Sequence, residues 1–192
     1  MQEHTFLFTD LVGYTSLADA EGDDRAADVA LLLHRRVRGL LGEFGAAEVK
    51  SLGDGLMLHC SDAAASLRLA LRIVEELEAE PGFPAVRVGV HTGSAVTRDG
   101  DWYGRGVNVA ARLCSVAPGG EVLASDATRR AARRLWKIDF GERRMHWLRN
   151  VTEPVATYSV RPRACPGGRL RSAARVAAAR RGGPPAGVEA SA

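Results

Sequence analysis

Residues 47–61, AEVKSLGDGLMLHCS, read as two strands joined through a tight turn at Gly53-Asp54-Gly55. Apolar residues beyond the turn and glycines flanking the aspartate make this a hairpin signal. A second apolar run, HTFLFTDL at 4–11, opens the chain as a short buried strand and carries Asp10 near its exit. If these strands are neighbours, Asp10 and Asp54 converge at one end of a sheet. Two carboxylates brought together repel, and a cation between them offsets that cost. Hard oxygen ligands of this kind suit Mg²⁺ or Mn²⁺, which keep several waters and bind substrate phosphates. Taken singly, each piece has an ordinary reading: an Asp-Gly turn is a hairpin, and a strand-terminal Asp before a helix is a cap.

Working outward, Gly13 breaks the first strand and frees its amides to turn toward phosphate at a helix N-terminus, with Thr15 or Ser16 as the cap. Val29, Leu32, Leu33, Val37, Leu40, Leu41 and Phe44 recur near helical spacing, and Gly45 ends that helix. Asp62 caps a further helix whose stripe is Leu67, Ala70, Leu71, Val74 and Leu77. VRVGVHTGSAV (86–96) resumes as a strand, and a polar turn at 98–101 leads into the helical VNVAARLCSVA (107–117). Pro118-Gly119-Gly120 stops that helix; EVLAS is a short strand, 126–135 a helix, and the stretch to 160 two or three antiparallel strands. Helices and strands interleave, yet hairpins occur, so the fold class is α+β, with helices packed on a mixed sheet.

Within 107–117, Asn108 and Arg112 are four apart and share a helix face. An amide and a guanidinium projecting together can hold a sugar oxygen and a developing phosphoryl charge, though a polar pair on a surface helix is equally common.

The chain resembles the class III nucleotide cyclase catalytic domain. Four motifs in order over about residues 5–160 carry the likeness: Phe8-Thr9-Asp10-Leu11-Val12-Gly13-Tyr14-Thr15, Lys50-Ser51-Leu52-Gly53-Asp54-Gly55, Arg87-Val88-Gly89-Val90-His91-Thr92-Gly93, and Asp101-Trp102-Tyr103-Gly104 followed by Val107-Asn108-Val109-Ala110-Ala111-Arg112. The resemblance implies a ferredoxin-like, palm-type sheet and conversion of ATP to 3′,5′-cyclic AMP and pyrophosphate. It implies two Mg²⁺ or Mn²⁺ ions per site on Asp10, Asp54 and the Leu11 carbonyl. Asn108 would orient the ribose and Arg112 would stabilise charge on the α-phosphate. Gly13, Tyr14 and Thr15 would meet substrate phosphate, as would Arg149, which stands where the family has a Lys before a Gly; here Asn150 follows it. Ser94 stands where some members carry a basic residue.

Lys50 and Asp101 match the family's adenine-reading pair. The chemistry agrees, since a lysine only donates, suiting adenine N1, and a carboxylate only accepts, suiting the 6-amino group. Of 26 basic residues only Lys50 and Lys137 are lysine, so position 50 runs against the chain's arginine habit. Guanine would want an acceptor at 50, and the Gly-Gly-Asp/Glu-Glu-Phe signature of diguanylate cyclases is absent. Because the family builds each site from two chains and this one carries both halves, a homodimer with two equivalent sites is implied. The second reading is a weak or inactive nucleotide-binding or dimerisation module of the same fold.

The 192 residues suffice for one domain, expected at 1–160. The net charge of +3 at pH 7 is unevenly placed, because residues 161–192 carry seven Arg against one Glu and leave the remainder mildly acidic. That Ala-, Gly-, Pro- and Arg-rich tail lacks the apolar side chains to offset its ordering entropy, so it is expected to be disordered and not a nucleic-acid arm. No apolar run reaches the ~20 residues of a membrane span. Three scattered cysteines suggest neither disulfides nor zinc and fit a reducing cytoplasm. Met1 stands just ahead of the first strand, and no regulatory module is expected before it.

Overall fold

The computed structural model describes residues 3–163 apart from 133, 134 and 136; the expected disordered tail lies, from 164 onward, outside the described residues. The first strand, β1 (Glu3–Leu11), alternates its side chains between two faces and is buried along most of its length. It is followed by α1 (Tyr14–Glu21), α2 (Asp23–Leu41) and a 3₁₀ turn at Gly42–Phe44. The predicted hairpin is β2 (Ala46–Ser51) and β3 (Gly55–Cys60), and α3 (Ala63–Glu78) and β4 (Val86–Ser94) complete a βαββαβ unit. These strands pair antiparallel in the order β2-β3-β1-β4, the ferredoxin-like arrangement.

A small hairpin, β5 (Val96–Arg98) and β6 (Asp101–Tyr103), leads to α4 (Arg105–Val116). Then come β7 (Val122–Ser125), α5 (Asp126–Ala131), β8 (Ile138–Phe140), β9 (Arg144–His146) and β10 (Val155–Pro162). β7 joins β4 in parallel, and the antiparallel β10 extends the sheet to β8 and β9, giving the expected mixed sheet. β10 runs two residues past 160, and Arg163 N–H donates to the Lys137 carbonyl at 2.7 Å.

One face of the sheet carries the main core. Leu7, Leu11, Leu56, Leu58, Val88 and Val90 meet Leu33 and Val37 of α2 and Leu67, Ala70, Ile73 and Leu77 of α3. The other face carries α4, where Phe6, Phe8 and Met57 pack against Val107, Ala110 and Cys114. α4 lies so close to β4 that a Cβ on Gly89 would stand 2.1 Å from the Cys114 nitrogen and 2.7 Å from the Ala110 oxygen. The glycine of the VRVGVHTG stretch therefore sets the depth of α4, and with it the height of Asn108 and Arg112.

Several boundaries differ from the sequence reading. α1 begins at Tyr14 with Gly13 as its N-cap at φ 79°, and no side chain caps it. A left-handed residue reverses the chain at once, so Thr15 and Ser16 fall inside the first turn instead of capping it. α2 ends at Leu41 before the 3₁₀ turn, and Gly45 caps that turn at φ 60°. α5 stops at Ala131, short of 135. The expected turn at 98–101 is the Asp99-Gly100 loop of a hairpin, with both residues at positive φ. Asp62 caps α3 as expected, accepting from Ala64 N–H at 2.8 Å.

Candidate functional site

β1 and β3 are neighbours, and Asp10 stands in register with Gly55, beside the turn that carries Asp54. The two half-buried carboxylates therefore share one sheet end. Burial, and then the charge of Asp10, raise the Asp54 carboxyl above its ordinary value. A carboxylate pair that resists full ionisation is one a divalent cation would relieve, so this donor set fits a metal. Among the described residues no group of three or more His, Cys, Asp or Glu side chains could hold an ion. A cation here would need the Leu11 carbonyl, substrate phosphate and water to fill its shell.

The structure adds Arg87 to this end. It lies opposite Asp10 on β4. Its Nε donates to Asp10 Oδ2 at 2.7 Å, its Nη2 pairs with the same oxygen, and its Nη1 donates to the Ser115 carbonyl in α4 at 2.9 Å. One guanidinium thus braces an acidic side chain on β1 against the end of the helix that bears Arg112, while using a single carboxylate oxygen. The sequence held a clue: Arg87, Gly89 and His91 alternate on the face shared with Phe6, Phe8 and Asp10. An arginine on that face of a central strand demands an anion. Replacing Arg87 by Met should cost about 2 kcal/mol, the scale of a charged hydrogen bond lost from a partly buried carboxylate. The loss should shrink on adding Mg²⁺, which calorimetric unfolding with and without the ion would check.

Beneath α4, burial pushes the Cys114 thiol up to about 12, so it serves as a neutral filler. His91, read from sequence as structural, hydrogen-bonds the Ser125 hydroxyl at 2.8 Å. Burial, and then the Arg105 charge, lower its pKa to about 4. Between that value and the ordinary 6.5 the unfolded chain binds the extra proton, so stability falls as pH drops through this window. The full loss is about 3 kcal/mol. Denaturant unfolding at pH 7 and pH 4.5 should show His91→Asn losing about 2–3 kcal/mol less than the parent protein.

Lys50 and Asp101 come together from β2 and β6 as an ion pair. The Lys50 hydrogen bond, then the Trp102 amide, hold Asp101 below the usual carboxylate range. Asn108 and Arg112 project from the exposed side of α4, whose other side buries Val107, Val109, Ala110, Leu113 and Cys114. That side chain pair therefore faces away from the sheet whose end carries Asp10 and Asp54. Gly13 and Thr15 are exposed at the start of α1, where the first-turn amides have no side-chain cap, and Tyr14 packs against the main core.

Arg149 is exposed in the turn between β9 and β10. Asn150 takes φ 61°, and Val151 N–H donates to the Leu148 carbonyl at 3.1 Å. Asparagine is the side chain that best tolerates this left-handed position, so the departure from glycine keeps the conformation a glycine would supply. Ser94 is exposed at the end of β4.

No described helix is long and apolar enough to cross a membrane. Cys60 and Cys114 are buried free thiols, and Cys165 lies outside the described residues.

Comparison with known proteins places these features in a family. The profile described as the adenylate and guanylate cyclase catalytic domain matches residues 1–161. The pH-sensitive adenylate cyclase MT1302 of Mycobacterium tuberculosis is 40% identical over 130 residues, covering 66% of this chain and 32% of that protein. An adenylate cyclase of Streptomyces griseus is 35% identical over 120 residues, covering 62% and 30%. The chain thus spans about a third of the length of these curated relatives. Among solved structures, an adenylate cyclase of Trypanosoma brucei in its monomeric state superposes with a TM-score of 0.77 at 26% identity, covering 83% of this chain and 88% of that one. With the motifs, the strand order and a profile spanning nearly all described residues in agreement, the chain belongs to the adenylate and guanylate cyclase catalytic domain family.

Proposed function

We infer that the protein is an adenylate cyclase that converts ATP to 3′,5′-cyclic AMP and pyrophosphate at sites shared between two copies of the chain. The observation that carries the choice of base is the Lys50–Asp101 pair: a donor and an acceptor, already adjacent, on the rim beside α4. Adenine offers N1 as an acceptor and its amino group as a donor, whereas guanine offers the reverse. The ribose 3′-oxygen attacks the α-phosphorus, the bond to the bridging oxygen of pyrophosphate breaks, and the hydroxyl proton passes to solvent. Asn108 orients the ribose, and Arg112 meets the charge that grows on the α-phosphate oxygens. Arg149 and the amides around Gly13, Tyr14 and Thr15 take the remaining phosphate charge.

Asp10, Asp54 and the Leu11 carbonyl would hold two Mg²⁺ or Mn²⁺ ions, which neutralise phosphate charge and lower the pKa of a bound hydroxyl. The dimer follows from direction. Asn108 and Arg112 face away from the sheet that bears the two aspartates, which supports a site completed by a second chain.

Asn150 in its left-handed turn weakens the rival reading of an inactive module. The test is cyclic AMP formation from ATP with Mn²⁺ or Mg²⁺ over a range of protein concentration. Specific activity should rise with concentration as dimers form; no product at the highest concentration sinks the assignment. A chain ending at Arg163 should match the full chain if residues 164–192 are an appendage to a catalytic unit ending near 160.

A further inference from the structure

Beside the base-reading pair lies an aromatic cluster with no part in the scheme above. His4 and Phe6 of β1 and His59 of β3 occupy the sheet face that carries α4, and Trp102 of β6 lies against them. The His59 ring stacks on the indole with centroids 4.6 Å apart and planes 18° from parallel. His4 lies 4.4 Å from the indole, and Phe6 meets it edge-on at 5.5 Å. His4 Nδ1 and His59 Nε2 are 3.1 Å apart. A hydrogen bond between two ring nitrogens needs one donor and one acceptor, so a second proton on the pair destroys it. The cluster adjoins Asp101 directly, because the Trp102 amide donates to Asp101 Oδ1 at 2.8 Å while Lys50 holds Oδ2.

We propose that His4 and His59 are positioning residues for the base-reading pair: through Trp102 they hold Asp101 against Lys50, and a second proton on the histidine pair releases that hold, so that ATP affinity falls on acidification while turnover changes little. The proposal rests on the assignment of Lys50 and Asp101 to the adenine base. Among the described residues, the surroundings offer no spare carboxylate to stabilise a doubly charged pair. Asp101 is matched by Lys50, Tyr103 follows on β6, and His91 on β4 is neutral beside Arg105 of α4. Glu3 lines the hollow near Ser61 and Asp62, across the sheet from the cluster. Burial and the charge of His4 hold His59 below the ordinary histidine range.

The test has two arms on the full chain. In the first, Trp136→Phe and Trp147→Phe leave Trp102 as the emitter, and its fluorescence is followed from pH 8 to pH 5. An imidazolium stacked on indole quenches it, so emission should fall in one titration step that His59→Gln abolishes. Emission that does not titrate, or titrates alike in His59→Gln, overturns the proposal. In the second arm, KM and kcat for ATP are compared with those of His59→Phe, which keeps the stack and loses the titration. The variant lacks the His4–His59 hydrogen bond at every pH, so its KM should be raised already at pH 8 and stay flat on acidification, whereas the parent KM should rise about tenfold toward it by pH 5.5 with kcat within about twofold. Protonation of ATP itself is common to both proteins. Identical KM profiles overturn the proposal. If no cyclic AMP forms at any pH the cyclase assignment fails instead, and ATP affinity by calorimetry replaces KM in this arm.

Discussion

An equimolar mixture of Asp54→Asn and Arg112→Ala proteins should recover about a quarter of parental cyclic AMP production, although each variant alone is nearly silent. Asp54→Asn removes one of two carboxylates that converge at the sheet end. In the proposed scheme that halves the carboxylate charge that would hold the cations, and a loss on the order of 10³-fold is expected. In the proposed scheme Arg112→Ala removes the donor that meets transition-state charge, an effect of about 10²–10³-fold. If sites are shared, random exchange makes about half of all dimers mixed, and each mixed dimer has one intact site and one doubly damaged site. Half of the dimers at half strength gives the quarter. Sites built within one chain would give no recovery at any ratio, and co-expression of the two variants removes slow exchange as an excuse. α4 buries Val109, Ala110, Leu113 and Cys114 against the sheet, and so turns Asn108 and Arg112 outward.

The parts of this arrangement that were legible in the sequence are those in which chemistry and local conformation share a short stretch. The Gly-Asp-Gly turn, the aspartate closing an apolar run, and the i,i+4 spacing of Asn108 and Arg112 each state their geometry within six residues. The order β2-β3-β1-β4 was not stated by any stretch, but it follows once hairpins and helices alternate as they do. Arg87 shows what local reading loses. Its meaning depends on Asp10, 77 residues earlier, and on a carbonyl 28 residues later. The His4–His59–Trp102 cluster is similar, since rings that touch across β1, β3 and β6 leave no periodicity to read. The start of α1 differed from the sequence reading for another reason. Gly13 at φ 79° can start a helix at the next residue, so the hydroxyl side chains that look like caps were left inside it. Asn150 is the converse case: a departure from the family's glycine by residue type, but not by conformation.

Exchanging Lys50 for Glu and Asp101 for Ser should move the protein from ATP toward GTP, changing the ratio of the two kcat/KM values by roughly 10³–10⁴-fold. Unpaired polar groups set this ratio. Lys50 offers only donors, so guanine, which presents N–H groups where adenine presents N1, would leave donor facing donor. Asp101 offers only acceptors and would face the guanine carbonyl oxygen. Each mismatch leaves a desolvated polar group unsatisfied at about 1–3 kcal/mol, and two mismatches reach the stated range. A glutamate at position 50 and a serine at position 101 supply the opposite pattern. Lys50→Glu alone should do worse than the double variant with both nucleotides, because it sets two carboxylates where an ion pair stood. Instability will not mimic the result. The Lys50 and Asp101 side chains are 43% and 25% exposed, and solvent screens an ion pair that open, so it adds little to folding. A double variant that folds normally and still prefers ATP would show that the base is read elsewhere, and would remove the reason to regard the histidine cluster as its support.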